Sequence, residues 1–519
     1  MPAASKPTRA FVPLPGIEYA TAVHPYLKLT PNPNGGPKIT FTPEEVEAVS
    51  KPNVLISGGG IGGLTLALLL HKANIPFLVF ERAKEITPLG SAIVMGSSVA
   101  ALFKQLGIWD EFVERSKEYH TVNMYKEDLK LVNTMTGPWL AEAAGCQNSI
   151  ISRPQLYDLL LNSLPRDRVL LGKRILSFSQ NEDNVMIDCS DNTSYYGDIL
   201  VGADGAYSAV RQNLYKQLKK VHKLPSSDDV TLPFGCVCLV GQTVPLDPEE
   251  FPQMKEDLTE VNTVLGVSTM CTWVTVTTKQ NTVCWSVIHF LDKDSSKRHD
   301  SFRNSEWGPE AAEALAREVR VFKVPGGKDG KELTMAEYID RTPSDLMSKV
   351  MLEEIVFDTW YGGRTVLLGD ACHKMNLTGG LGGIHAIHDA VALANWMSTL
   401  RLADEEKLGK VFKKYRSERY PVAKAAFETS QMFTHNLGKN LLSVLVRAMM
   451  KRIPVWVFKR IIYKMYASRP QASFLPLVED NAPIKPSYQY SLHKTLAIHK
   501  ELAKKATGLS TMSNAPVTV

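Results

Sequence analysis

The alternation of apolar and polar positions changes character several times along the chain. Residues 1–50 are rich in Pro, Asn, Thr and small side chains, and PNPNGGP (31–37) has turn chemistry throughout, which predicts an extended arm. From residue 53, NVLIS (53–57) reads as a buried strand, GGGIGG (58–63) as a turn and LTLALLLHKAN (64–74) as an apolar helix. PFLVFER (76–82) is then a second strand ending in an acid. Residues 169–205 read as strands and a hairpin. Between about 230 and 345 longer alternating strands take over, and TWVTVTTKQNTVCWSVIHF (272–290) is a hairpin with Lys279, Gln280 and Asn281 near its turn. TVLLGD (365–370) is another apolar strand ending in an acid, and the glycines at 379, 380, 382 and 383 open a long helix.

This order predicts an α/β fold: a Rossmann-type nucleotide-binding domain, an antiparallel β-sheet substrate domain and a helical C-terminal region. The expected boundaries are the arm over 1–50, the nucleotide domain over 51–230 (with interspersed elements of the second sheet) and its return segment over 346–400, the antiparallel domain over 231–345 and the helical region over 401–519. Strand, G-x-G-x-x-G, helix, strand and acid arrive in sequence, with Gly58, Gly60 and Gly63 in register. One glycine permits the tight turn, one lets a pyrophosphate approach the backbone, and one lets helix and strand pack closely. The phosphates then sit on free N–H groups at the positive end of the helix. Glu81, 18 residues beyond Gly63, is placed to accept hydrogen bonds from an adenosine ribose.

Composition changes this picture little. The chain has 519 residues, 44% hydrophobic and 22% charged, which is ordinary for a globular protein of two to four domains. A net charge of +5 is too mild for a nucleic-acid binder. Seven cysteines without metal-ligand spacing predict a reduced intracellular protein, cytoplasmic or peripherally membrane-associated rather than secreted. Cys236 and Cys238 alternate in an apolar run and are expected on one face of a strand. No run of 18 apolar residues predicts a membrane span.

Two further stretches bear on the nucleotide: DILVGADGAYSAVRQNL (198–214) and RTVLLGDACHKMNLTGGLGGIHAIHDAVALANWM (364–397). With the glycine fingerprint they resemble the class A, p-hydroxybenzoate hydroxylase-like flavoprotein monooxygenases over about residues 53–430, most closely the fungal secondary-metabolite members. The resemblance implies bound FAD and NAD(P)H as a transient co-substrate. It assigns the ADP half of FAD to the glycine turn and Glu81, and the ribityl chain to Gly369-Asp370. Gly202, Ala203, Asp204, Gly205, Ser208, Val210 and Arg211 form the signature that bridges FAD and the nicotinamide cofactor. Arg153, opening the SRPQLYDLL helix, becomes an FAD contact, and the loop 90–98 runs beside the flavin near Val94. The helix at Gly382-Gly383 would aim its positive end at the flavin ring, and KKYRSERYPVA (413–423) matches the family's next helix.

The implied activity is hydroxylation or epoxidation of a small, largely apolar molecule by O₂ through a flavin hydroperoxide, with no protein acid or base identified. The sequence departs from the family at Cys372, in Leu377 or Thr378, at Leu381 and at His388, which alters the wall facing the flavin but keeps the glycines and Asp370. Rival readings are another FAD-dependent oxidoreductase of this fold, such as a reductase, and a non-catalytic FAD-binding protein. A halogenase W-x-W-x-I-P segment and a G-x-S-x-G elbow are both absent from the sequence.

His373, His385 and His388 invite a metal site, but His385 and His388 lie in the glycine-opened helix without a carboxylate or cysteine ligand set, so no metal is expected. Cys372 reads as a buried small hydrophobe. Asp110, Glu111, Glu114 and Glu118 read as a solvated helix face. Trp273, Trp285 and Phe290 are expected in the sheet, each more readily core than cavity wall. The stretch 441–470 carries seven basic residues among apolar runs and no acid. Two readings stand for it: a helical cap on the FAD domain, which is preferred, and an interfacial helix pair making peripheral contact with anionic membrane.

Overall fold

The computed structural model describes residues 51–85, 91–136, 138–266, 268–291, 309–328, 332–376, 380–401, 405–437 and 455–513. The expected arm over 1–50, the departures at Leu377 and Thr378, and residues 441–454 of the basic stretch lie outside the described residues.

β1 (Val54–Ser57) has four consecutive buried residues because it lies inside a sheet covered on both faces. β2 (Phe77–Phe80) pairs parallel with it on one side and β6 (Ile199–Gly202) on the other, with Val54 opposite both Phe77 and Ile199. β12 (Thr365–Leu367) adds to β6, so the six strands run Tyr361–Gly362, β12, β6, β1, β2 and Val169–Leu170. All pairs are parallel except the edge pair at Tyr361–Gly362. β12 thus joins this sheet from far along the chain.

α1 (Ile61–Lys72) is buried continuously from Ile61 to Leu70, and α5 (Gly382–Met397) from His385 to Met397. Helices enclosed all round need no amphipathic period, and these two pack on each other, with a Cβ built on Gly62 falling 3.2 Å from Ala386 Cβ.

The second large sheet runs β11 (Ser348–Glu353), β7 (Phe234–Gln242), β10 (Val283–Phe290), β9 (Cys271–Thr277), β8 (Thr259–Leu265), β4 (Lys117–Lys126), β5 (Ser149–Ser152) and β3 (Ala92–Met95). It is antiparallel apart from the β8–β4 pair. It draws β3, β4, β5 and β11 from outside 231–345, so the sheet domain is assembled from several separated stretches. Directly opposed residues share a face. On one face Trp273, Trp285, Val237, Leu239 and Val287 pack under α4 (Pro309–Val319) and the helix Met335–Ile339. Trp273 and Trp285 are therefore core, and each indole N–H is satisfied, by the Lys323 carbonyl at 2.8 Å and Thr342 Oγ1 at 3.0 Å. The opposite face carries Cys236, Cys238, Val240, Ile288 and Leu352, then Ile150, Val276 and Cys284 with Val94 and Val274 alongside. Phe290, opposite Cys236, lies on this second face, as does the expected Cys236–Cys238 pair.

Asp110, Glu111 and Glu114 are exposed on the helix Trp109–Arg115, as expected, whereas the exposed Glu118 belongs to β4. The C-terminal region contributes α6 (Glu405–Leu437), α7 (Val455–Tyr466) and the helix Tyr490–Ser513.

Candidate functional site

Three turns converge at the carboxyl edge of the parallel sheet. In the first, Gly58 has φ +105°, and a Cβ there would lie 2.4 Å from the Ala203 carbonyl oxygen. A Cβ on Gly63 would lie 2.1 Å from the Gly58 oxygen, so this glycine is the one that lets helix and strand close up. Gly60 is different. Its Cβ would meet nothing nearer than Tyr157 Oη at 3.8 Å, leaving open space over the turn. Gly60 is also the N-cap of α1, without a side-chain cap or a first-turn acid, so the helix end is left for an anionic ligand. Glu81 is half-buried and accepts the Gly59 N–H at 2.8 Å and the Ala83 N–H at 2.9 Å, which fixes the turn against the end of β2.

Arg153 opens α2 (Arg153–Asn162), and its N–H donates to the Ser91 carbonyl at 2.8 Å. Its side-chain Nε is buried and has no hydrogen-bond partner. A guanidinium N–H left so is costly unless a ligand oxygen completes it. An open glycine turn, an uncapped helix end and an orphaned arginine donor fit a pyrophosphate-bearing cofactor.

The second turn follows β6. Asp204 accepts Ser208 Oγ at 2.5 Å and the N–H groups of Ala209 and Val210 at 2.7 and 3.2 Å, so it caps α3 (Ala209–Lys220). Burial raises its carboxyl, against the pull of those helix donors. Arg211 reaches from α3 to the Ala371 carbonyl at 2.9 Å and the Ala206 carbonyl at 2.7 Å, and stacks 4.4 Å from the Phe357 ring. The described contacts of the Asp204 signature therefore tie the second turn to the third.

That third turn, Gly369–Ala371, ends β12. Asp370 is partly exposed and pairs with Lys374 at 2.6 Å. A Cβ on Gly382 would lie 3.9 Å from Asp370 Oδ1, and one on Gly383 would lie 3.7 Å from Ile61 Cδ1 and 4.0 Å from Ile93 Cγ2. The start of α5 thus meets the Asp370 turn, the start of α1 and β3 at one place. The segment expected as a loop near Val94 is β3, with Val94 opposite Ile150, followed by a helix from Ser97; extended pairing satisfies backbone groups that a loop would leave open.

Beneath this surface lies a buried network whose centre the sequence did not reveal. Asp389 Oδ2 contacts His373 Nε2 at 2.5 Å and accepts the Gly369 N–H at 3.1 Å, while Oδ1 accepts Arg419 Nε at 2.6 Å. Arg419 Nη2 also lies 3.1 Å from His385 Nδ1. Burial would raise the Asp389 carboxyl, but the charges of His373 and Arg419 outweigh it and hold it well below the usual range. His388 Nε2 lies 2.9 Å from the Ser98 carbonyl, and burial, reinforced by Arg419, pushes its pKa down to about 3. The available signal was the acid itself, which inside an apolar helix requires a buried partner. Cys372, His373 and Asp389 offer ligand atoms within 4.8 Å of one another. Arg419 already neutralises Asp389, and burial raises the Cys372 thiol far above its ordinary value, so this set behaves as an ion-pair network rather than a cation site.

Parallel sheet, glycine turn and helix end together define a protein of the dinucleotide-binding class. The chain belongs to the FAD binding domain family, FAD_binding_3, whose model matches residues 51–430. It is similar to the FAD-dependent monooxygenase paxM of Penicillium paxilli, at 29% identity over 73% of this chain and 77% of that protein. It is also similar to olcE of Penicillium canescens, another FAD-dependent monooxygenase, at 26% over 83% and 91%. Among solved structures, Klebsiella pneumoniae HpxO with FAD and uric acid has a TM-score of 0.58 at 20% identity, covering 80% of this chain and 96% of that one. FqzB has a TM-score of 0.58 at 18% identity, covering 90% and 96%. The protein is accordingly an FAD-binding oxidoreductase of the monooxygenase kind.

Proposed function

We propose that the protein uses NAD(P)H and O₂ to hydroxylate or epoxidise a small, largely apolar molecule. The observation that carries this reading is the meeting of the cofactor turns with the antiparallel sheet at Ile93 of β3, a sheet whose other face, Val94's, is lined by Val, Ile, Leu and Cys side chains. When bound, FAD would supply the redox chemistry between NAD(P)H and O₂. The chain's own residues bind and orient. Gly58, Gly60, Gly63 and the α1 N-terminus would receive the pyrophosphate, Glu81 the ribose, and Arg153 a cofactor oxygen through its free Nε. Asp370, with the α5 N-terminus at Gly382-Gly383, would hold the ribityl end and the ring, and Asp204 with Arg211 keeps the two later turns in register. The apolar sheet face excludes water from the reacting region.

The described part of the basic C-terminal stretch supports the cap reading. Tyr466 of α7 is hydrogen-bonded by Asn148 Nδ2 at 2.8 Å, and Lys459 lies 5.0 Å over Trp139. No helix among the described residues is long and apolar enough to cross a membrane. The test of the activity is NAD(P)H oxidation by the purified yellow protein, with and without a panel of apolar aromatic, polyketide and terpenoid compounds. Oxygen incorporation into one of them supports the reading; NAD(P)H consumption that reduces a compound without oxygen incorporation would make it a reductase.

A further inference from the structure

Trp360 is fully buried beside the Asp370 turn. Its carbonyl accepts the Leu367 N–H at 2.8 Å, and Leu367 stands two residues, about 7 Å of extended chain, before Gly369. Its indole N–H donates to the Phe357 carbonyl at 2.7 Å. The Trp360 ring lies 5.3 Å from the His373 ring, centroid to centroid, and His373 meets Asp389, which holds the Gly369 N–H. Two phenols of α6 are nearly as close, Tyr415 at 5.8 Å and Tyr420 at 5.9 Å.

The two phenols differ in what receives the hydroxyl. Tyr415 is fully buried and donates to the Leu367 carbonyl at 3.2 Å, a group that does not take up a proton. Tyr420 is half-buried and donates to Asp358 Oδ1 at 2.6 Å. The Asp358 side chain is 41% exposed, and hydrogen bonds from Ser227 and Tyr420 hold its carboxyl below the usual range, so it is ionised and open to water. Arg416 stacks 4.4 Å from the Tyr420 ring and reaches Asp358 at 3.9 Å. That cation opposes positive charge on the ring, so Tyr420 gives up an electron only as its proton leaves for Asp358.

Rings this close pass single electrons readily. We propose that Trp360, Tyr420 and Asp358 form a protective electron relay, which carries oxidising equivalents of oxygen-centred radicals from the cofactor turns to the surface. Trp360 gives one electron to the radical. Tyr420 returns one to the Trp360 ring, and its phenolic proton passes to Asp358 and on to water. In sum, a hydroxyl-type radical becomes water and the Tyr420 phenol becomes a neutral phenoxyl, which a soluble thiol restores by giving up a hydrogen atom. The source of the radicals, incomplete reduction of O₂, rests on the proposed function.

Blue light makes bound flavin a one-electron oxidant, so FAD-loaded protein is illuminated with ferricyanide present to take the electron onward, then frozen for electron paramagnetic resonance. The wild type should give a tyrosyl signal. Tyr420→Phe should abolish it and leave a tryptophan signal, whereas Tyr415→Phe should leave it unchanged although that ring is as near. Asp358→Asn should also hold the radical on tryptophan, and Trp360→Phe should lose both signals. Tyr420 and Asp358 lie outside the sealed core, so their variants carry the test if Trp360→Phe does not fold. A second readout needs no light: after prolonged NAD(P)H oxidation without substrate, peptide mass spectrometry should find Trp360 oxidised in Tyr420→Phe and intact in the wild type. A tyrosyl signal that survives Tyr420→Phe, one lost equally in Tyr415→Phe, or equal Trp360 oxidation in the two proteins would each overturn the proposal. A protein without FAD fails the functional reading instead, whereas one that holds FAD and gives no tyrosyl signal fails this one alone.

Discussion

Replacing Asp389 with alanine would leave Arg419 as a buried cation and free the Gly369 N–H at the same stroke. The carboxylate is fully buried, and its three partners lie at 2.5, 2.6 and 3.1 Å. Removing one member of a buried pair costs about 3–5 kcal/mol, chiefly because the other charge remains. Asp370 offers the contrast: it is partly exposed, and its pair with Lys374 contributes at most about 1 kcal/mol once solvent screening is counted. Urea unfolding of both variants, followed by far-UV circular dichroism, should therefore show Asp389→Ala shifted by several kcal/mol and Asp370→Ala barely moved. FAD retention after gel filtration should fall in Asp370→Ala at near-native stability. If Asp389→Ala unfolds within about 1 kcal/mol of the wild type, the network is not the support we describe.

Gly60→Trp should strip FAD, because its side chain would fill the open space over the turn, whereas Gly60→Ala, with nothing nearer than 3.8 Å, should keep it; flavin absorbance per protein reads both. Gly63→Ala should lower stability by about 1–3 kcal/mol, since its Cβ would sit 2.1 Å from the Gly58 oxygen; an unchanged urea midpoint would refute this packing. His388 should make stability fall on acidification: with a folded pKa of about 3 and an unfolded one near 6.5, the unfolded state binds the extra proton between those values. That contribution is complete above about pH 6.5, and urea midpoints in His388→Gln should show a flatter dependence over this window. Co-sedimentation with anionic liposomes should be weak if α7 is a cap; strong, salt-sensitive binding lost in Lys459→Ser with Arg460→Ser would favour the membrane reading.

The cofactor half of the molecule was legible because its chemistry is local. Gly58, Gly60, Gly63 and Glu81 fall within one strand–helix–strand unit, where spacing dictates geometry. Asp204 and Asp370 were legible as strand ends, although the bonds that Asp204 makes, to its own helix, are not readable from its position. Asp389 was not legible as the centre of a network: from the sequence it is an acid within a helix, and only the fold brings Arg419 and His373 to it from 30 and 16 residues away. The two tryptophans and Phe290 show the same limit. Alternation places them on faces of a sheet, but which face meets helices and which meets the cofactor depends on partners remote in sequence.

The parallel sheet also has a birth order. β1 and β2 leave the ribosome early, yet β12 and the enclosing helix α5 follow some three hundred residues later, after the whole second sheet. At about 10 residues per second the β1–α1 unit waits roughly half a minute for the partners that cover it. During that interval α1 can pack on β1, β2 and α2, but the flank that α5 covers in the finished protein has no partner. We predict that ribosome-bound chains ending before residue 360 are cut readily by protease within the first hundred residues and engage holdase chaperones, whereas chains extended past residue 430 resist both. Resistance in the shorter chains would mean that the amino-terminal unit closes by itself.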